Sequence, residues 1–198
     1  MTKTALISVY EKRGIEIFAK DLLELGDWRI ISSGGTAKKL EEFGIPVTDV
    51  ASISGLPACL GHRVVTLVPH IHGGLLATEE MREELLKLGF PWIDLCCVDL
   101  YPLKKEIDST DATRESVIAQ TDIGGPTMLR SAAKGRRIVI SDPADRLPVI
   151  DWLRAGQPDE QKYLDHLAAK AEGVVADYCL ASARYTSGGK ILGSIIGL

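Results

Sequence analysis

The sequence predicts an α/β fold: a Rossmann-like, three-layer arrangement in which a parallel sheet lies between helices. Three observations predict it. Short β-branched apolar runs alternate with stretches of helical periodicity. One run, IDLCCVDL, is almost continuously apolar, as a strand covered on both faces requires. Turns rich in Gly, Ser and Thr follow the strands, where open parallel sheets bind their ligands. Crossovers between the strands are expected to be right-handed.

Residues 4–9 are expected to form the first strand. Ile15, Phe18, Leu22 and Leu25 then share one helical face, and Gly26 closes that helix. Residues 28–32 make a second strand, 37–43 a short helix stopped by Gly44, and 45–50 a third strand. The segment 63–77, RVVTLVPHIHGGLLA, reads as a shaped loop built on Pro69 and Gly73-Gly74. Further strands are expected within 91–100 and over 137–141. After Asp145, helical periodicity takes over. It runs through Val149, Trp152 and Leu153, then Leu164, Leu167, Ala168, Ala171, Val175 and Tyr178, with a loop at 154–160.

The 198 residues are expected to form one domain, with a helical extension over about 145–186 and a short apolar tail at 187–198. A 45% share of hydrophobic residues excludes a disordered chain. The net charge of −4 leaves no basic footprint for nucleic acid. No run reaches the length of a membrane span, and the opening apolar run is too short for a secretory signal. Cys59, Cys96, Cys97 and Cys179 form no CxxC pair, so buried, reduced thiols in a cytoplasmic protein are expected.

Four segments gather candidate chemistry. Ser33, Gly34, Gly35 and Thr36 lie between a strand and a helix; the glycines let the backbone approach an anion and the helix start offers free N–H groups. The segment is neither a dinucleotide fingerprint nor a Walker A loop. It suits a monophosphate, or equally a plain turn capped by Ser or Thr. Tyr10, Glu11 and Lys12 follow the first strand, and a cation so close to a helix start suits a bound phosphate or a solvated lysine. In the third segment, Arg63 and Thr66 are able to hold a phosphate or a base edge. His70 and His72, two apart without a third ligand, make no metal site, and a packed His72 bonded to backbone is the simpler reading. In the fourth, Asp122-Ile123-Gly124-Gly125-Pro126 opens a helix, with Asp122 either a cap or a general base at its mouth.

Together the runs ALISVYEKRGI, IISSGGTAKKLEEFGIPVTDV, GHRVVTL leading to IHGG, VDLYP and DIGGPTMLRSAAK, in this order and spacing, resemble the inosine-monophosphate cyclohydrolase family over about residues 3–186. The family is the domain that bifunctional purine biosynthesis proteins join to a formyltransferase. The resemblance implies a methylglyoxal-synthase-like fold and a hydrolase-class enzyme that closes the ring of 5-formamidoimidazole-4-carboxamide ribotide, giving inosine monophosphate and water. It implies no metal, no cofactor, a homodimer, and no membrane or nucleic-acid partner. With no formyltransferase domain in the chain, a separate formyltransferase is expected to supply the substrate. By resemblance, Lys134, Asp122 and Tyr101 are the catalytic positions. Tyr10, Glu11, Lys12, Ser33, Gly34, Gly35, Thr36, Arg63, Val64, Val65, Thr66, Val98, Asp99, Ile123, Gly124 and Gly125 bind the nucleotide, and the amides of Gly124 and Gly125 are candidate oxyanion donors.

The chain departs from the family pattern at three places. Val65 stands where the family has a lysine, Val68 where it has a histidine, and Asp99 where it has an asparagine. His62 and His70 are candidates to replace the lost cation. Three functions follow: a cyclohydrolase with a rearranged set of cations, a ribotide-binding module without turnover, or another enzyme of the methylglyoxal-synthase-like fold. The intact DIGGPTMLRSAAK argues against the third. Retention of Lys134, Asp122 and Tyr101 favours the first over the second.

Overall fold

Five parallel strands lie side by side in the order β3-β2-β1-β4-β5: β1 (Lys3–Ser8), β2 (Trp28–Ser32), β3 (Thr48–Asp49), β4 (Leu95–Val98) and β5 (Ile138–Ile140). The structure is a computed structural model that describes residues 2–60 and 63–188; His62 and residues 189–198 of the apolar tail lie outside the described residues. The α/β reading and the parallel sheet hold. In register, β1 aligns Ile7 with Ser32 of β2 and Ser8 with Val98 of β4. The chain fills the sheet in one direction from β1 to β3, then in the other from β4 to β5. The order therefore reverses between β1 and β4, and the crevice beyond their carboxyl ends is where such sheets take ligands.

β1, β2, β4 and β5 are largely buried because helices cover the sheet, whereas both residues of β3 are exposed. Leu6, Ile7, Ile30, Ile31, Leu95 and Cys96 have almost no exposed surface. Burial pushes the Cys97 thiol up to about 12, and that of Cys96 higher still. These two thiols sit in the core as expected, whereas Cys59 and Cys179 are exposed.

The helices are α1 (Ile15–Glu24), α2 (Gly34–Glu42), α3 (Val50–Ser54), α4 (Pro69–Leu76), α5 (Arg82–Lys87), α6 (Leu103–Ile107), α7 (Arg114–Ala119), α8 (Gly124–Lys134), α9 (Arg146–Arg154) and α10 (Glu160–Thr186). α1 buries Ile15, Phe18 and Leu22, the face that its periodicity predicts. α9 and α10 follow β5 in the chain. α10 runs 27 residues and buries Leu167, Ala168, Ala171 and Val175.

Three elements differ from expectation. The third strand shrinks from 45–50 to Thr48–Asp49. Pro46 has no N–H for a ladder, and the Asp49 carboxylate accepts the Ala51 N–H at 2.7 Å, which caps α3 and turns the chain into a helix. The second helix begins at Gly34 rather than Ala37, with Gly34 at φ +56°, a left-handed opening that glycine alone adopts at low cost. The third is α4, where a loop was expected. Pro69 opens it and its glycines are packing sites, not turns: a Cβ on Gly74 would stand 2.2 Å from the Pro91 carbonyl oxygen, and one on Gly73 2.8 Å from Phe90.

Candidate active site

A cavity of about 440 Å³ opens where the strand order reverses. It is lined by Ser8 at the end of β1 with Val9 and Tyr10 beyond it, by Ser33 to Thr36 after β2, and by Val98 at the end of β4 with Tyr101 beyond it. Arg63, Val65 and Thr66 line it as well, beside Asp122, Gly124 and Gly125, with Thr66 packed against Gly124.

One end is a cradle for an anion. Lys12 reaches over it, its Nζ 3.3 Å from the carbonyl oxygens of Val9 and Tyr10. A Cβ on Gly35 would lie 3.2 Å from Lys12 Cε, so glycine there lets the lysine lie along the start of α2. The Thr36 hydroxyl is spent internally: it donates to the Val9 carbonyl and accepts the Val9 N–H, both at 3.1 Å. That pair ties the turn after β1 to the start of α2. The cradle thus offers backbone N–H groups, Ser33 and an ammonium, in the geometry that helix starts use for phosphates.

The other end holds a carboxylate and two aromatic rings. Oδ1 of Asp122 accepts the Gly125 N–H at 3.1 Å, while Ile123, not Asp122, is the helix cap. Burial raises the Asp122 pKa, and the N–H groups of Gly125, Gly124 and Ile123 oppose the rise. Tyr10 and Tyr101 meet edge to face, ring centres 5.2 Å apart, and both remain nearly half exposed. Such a pair suits a planar heterocycle.

The MGS-like domain family matches residues 14–127, more than half of the chain. This chain belongs to that family. A solved structure titled "Crystal structure of ForH" is similar to it at 34% identity with a TM-score of 0.77, covering 94% of this chain and 100% of that one.

Within this MGS-like protein, most of the expected residues converge on the cavity: Tyr10, Lys12, Ser33, Gly34, Gly35, Thr36, Arg63, Val65, Thr66, Val98, Tyr101, Asp122, Gly124 and Gly125 line it. Five do not. Glu11 and Val64 lie outside its lining. Ile123 points outward and is 59% exposed. Lys134, at the far end of α8 and about 15 Å of helix from Gly124, is exposed and lines a separate groove between α8 and α10. Asp99 is turned away by its bonds: its carboxylate accepts the N–H groups of Tyr10 and Glu11 and pairs with Arg146 at 3.1 Å. Burial pushes its pKa up, and these partners oppose that.

Of the two histidines proposed to replace the lost lysine, His62 lies outside the described residues and His70 is not in the cavity lining. The His70 ring packs on Phe90 with centres 4.5 Å apart. His72 is packed and hydrogen-bonded to the Thr66 backbone, as expected, and is bonded through Nδ1 to the Ser131 hydroxyl at 2.9 Å as well. Burial lowers its pKa, against a smaller opposing effect from the Thr66 backbone. The cations at the cavity are Lys12 and Arg63 among the described residues.

Among the described residues no three His, Cys, Asp or Glu side chains are grouped to hold a metal ion, and no helix is long and apolar enough to cross a membrane. Sequence reasoning missed Ser8, Val9, Leu67 and Met128 in the lining, and missed Arg146 and the Tyr178 hydroxyl, which bond to the loops that carry the site. The first four lie inside the runs that carry the resemblance, beside the residues singled out there. Tyr178 was legible only as a helix-face residue.

Proposed function

We propose that this MGS-like protein is a cyclohydrolase of the inosine-monophosphate type. It closes the ring of 5-formamidoimidazole-4-carboxamide ribotide. The carboxamide nitrogen attacks the neighbouring formyl carbon, a C–N bond forms, the formyl oxygen leaves as water, and inosine monophosphate results.

The observation that carries this reading is that one cavity is lined by both an anion cradle and a half-buried carboxylate. The cradle of Lys12, Ser33 and the α2 start suits the 5′-phosphate, a handle remote from the reacting atoms. Tyr10 and Tyr101 suit the heterocycle. Asp122, its pKa raised, suits removal of the amide proton, and the N–H groups at the α8 mouth suit the developing oxyanion. Because both reacting groups are neighbours on the ring, much of the proximity advantage lies in the substrate. With valine at 65 and Lys134 outside the cavity, Arg63 is the cation that supports charge at the reacting edge.

A ribotide-binding module without turnover is the second reading, favoured by the position of Lys134. An absorbance assay with the formylated ribotide and purified protein separates the two. The cyclohydrolase reading expects ring closure without added metal or cofactor, reduced about a hundredfold in Arg63→Gln. Tight binding of inosine monophosphate with no turnover establishes the module instead.

A further inference from the structure

We propose that the C-terminal helices α9 and α10, which lie beyond the residues matched by the family, set the active site through two positioning residues, Arg146 and Tyr178. The proposal rests on the cyclohydrolase reading and assigns each residue to one end of the cavity.

Arg146 is the first residue of α9 and is 7% exposed. Its guanidinium donates to the carbonyl oxygens of Glu11 and Arg13, both at 3.2 Å, and to Asp99 Oδ2 at 3.1 Å. Asp99 in turn accepts the N–H groups of Tyr10 and Glu11. The pair therefore grips both kinds of backbone group in the loop after β1. Lys12 hangs from that loop, over the start of α2. The departure at Asp99, where a carboxylate replaces the amide of the resembling family, thus has a partner in this chain.

Tyr178 acts at the other end. Its hydroxyl oxygen accepts the Asp122 N–H at 2.6 Å and donates to the Gln120 carbonyl at 3.2 Å. It bridges the turn that delivers the Asp122 carboxylate to the α8 mouth. α10 itself is anchored independently, by Leu167, Ala168, Ala171 and Val175 in the core.

Packing alone accounts poorly for this arrangement. A buried ion pair is commonly no better for stability than apolar residues of the same volume. Yet the bonds of both side chains converge on the backbone of the two loops that present Lys12 and Asp122. A misplacement of about 1 Å at a reacting group is able to cost on the order of a hundredfold in rate.

The test compares three variants of the full chain. Removing Arg146 alone strands a buried carboxylate and risks misfolding, so the pair is neutralised together as Asp99→Asn with Arg146→Gln. This variant is expected to raise KM, and the Kd for inorganic phosphate, about tenfold while kcat stays within about threefold. Tyr178→Phe is expected to do the converse, lowering kcat about tenfold with KM nearly unchanged. Val175→Ala loosens the α10 anchor without touching either loop; it is expected to lower Tm and leave both kinetic constants in place. Equal changes of KM and kcat in both site variants, or a matching loss in Val175→Ala, overturn the proposal in favour of packing. If the wild-type protein turns nothing over, the cyclohydrolase reading fails by itself. The positioning proposal is then decided by phosphate affinity for the Arg146 pair and by a carbon NMR titration of the Asp122 carboxyl for Tyr178→Phe, and unchanged values in both overturn it.

Discussion

Asp122 is pulled in two directions. Burial favours its neutral form, and the N–H groups at the α8 mouth favour its charged form; burial wins, so the pKa is raised. A general base acts only when deprotonated. On acidification kcat/KM is therefore expected to fall through the raised pKa of Asp122, and the acid limb of the pH–rate profile should lie above the ordinary carboxylate value of 3.8. Asp122→Asn should abolish that limb and cost about 10²- to 10⁴-fold in rate. An acid limb at or below the ordinary value, or full activity in the variant, would remove Asp122 from the reaction. At this scale the sequence is informative about which residue types gather and poor about where they point. Tyr101, Asp122 and the SGGT turn are legible because strand ends and glycine turns are local signals. Asp99 and Lys134 are not, because burial against Arg146 and the length of α8 decide their directions.

The N-terminal mouth of α8 depends on its glycines for space. A Cβ on Gly125 would stand 2.4 Å from Asp122 Oδ2 and 2.6 Å from Leu100 Cδ2, and one on Gly124 2.8 Å from Thr66 Oγ1. Gly125→Ala is expected to push the Asp122 carboxylate aside and lower kcat by about ten- to a hundredfold, while circular dichroism shows a folded protein. Wild-type kcat in a folded Gly125→Ala protein would show that the carboxylate has room to spare. The same close packing explains which elements escape a reading by pattern. Glycine pairs signal turns in a sequence, yet Gly73-Gly74 lies inside α4, serving close approach, whereas Gly124-Gly125 opens α8 as its sequence context predicts. The strands β1, β2, β4 and β5 are legible because they are buried and β-branched or apolar. The end of β3 is set by Pro46 and the Asp49 cap, local features that outweigh the apolar pattern of 45–50. The Arg146 and Tyr178 bonds span 133 and 56 residues to Arg13 and Asp122, a separation at which no periodicity carries information.

Across the whole molecule, alternating elements build a parallel sheet whose order reverses between β1 and β4, and the cavity lies at that reversal. Two helices that pack on each other, α4 and α8, are joined by a titratable contact, that of His72 with Ser131. Burial lowers the His72 pKa below its ordinary 6.5, so the folded protein binds that proton less readily than the unfolded chain. The stability it contributes is present above the unfolded value and is lost as pH falls from there through the folded value. The carboxyls of Asp99 and Asp122 work in the opposite sense. Their pKa values are raised, so their contribution is complete below the ordinary carboxylate value and is lost as pH rises through the folded values. A difference between wild type and His72→Gln cancels those two, provided they lie outside its influence. Glutamine keeps a hydrogen-bonding group for Ser131 and does not titrate. Urea midpoints at about pH 7.5 and 5.5 are expected to fall further in the wild type than in His72→Gln. Equal falls in the two proteins would mean that His72 titrates alike folded and unfolded, and that the contact between α4 and α8 carries no proton linkage.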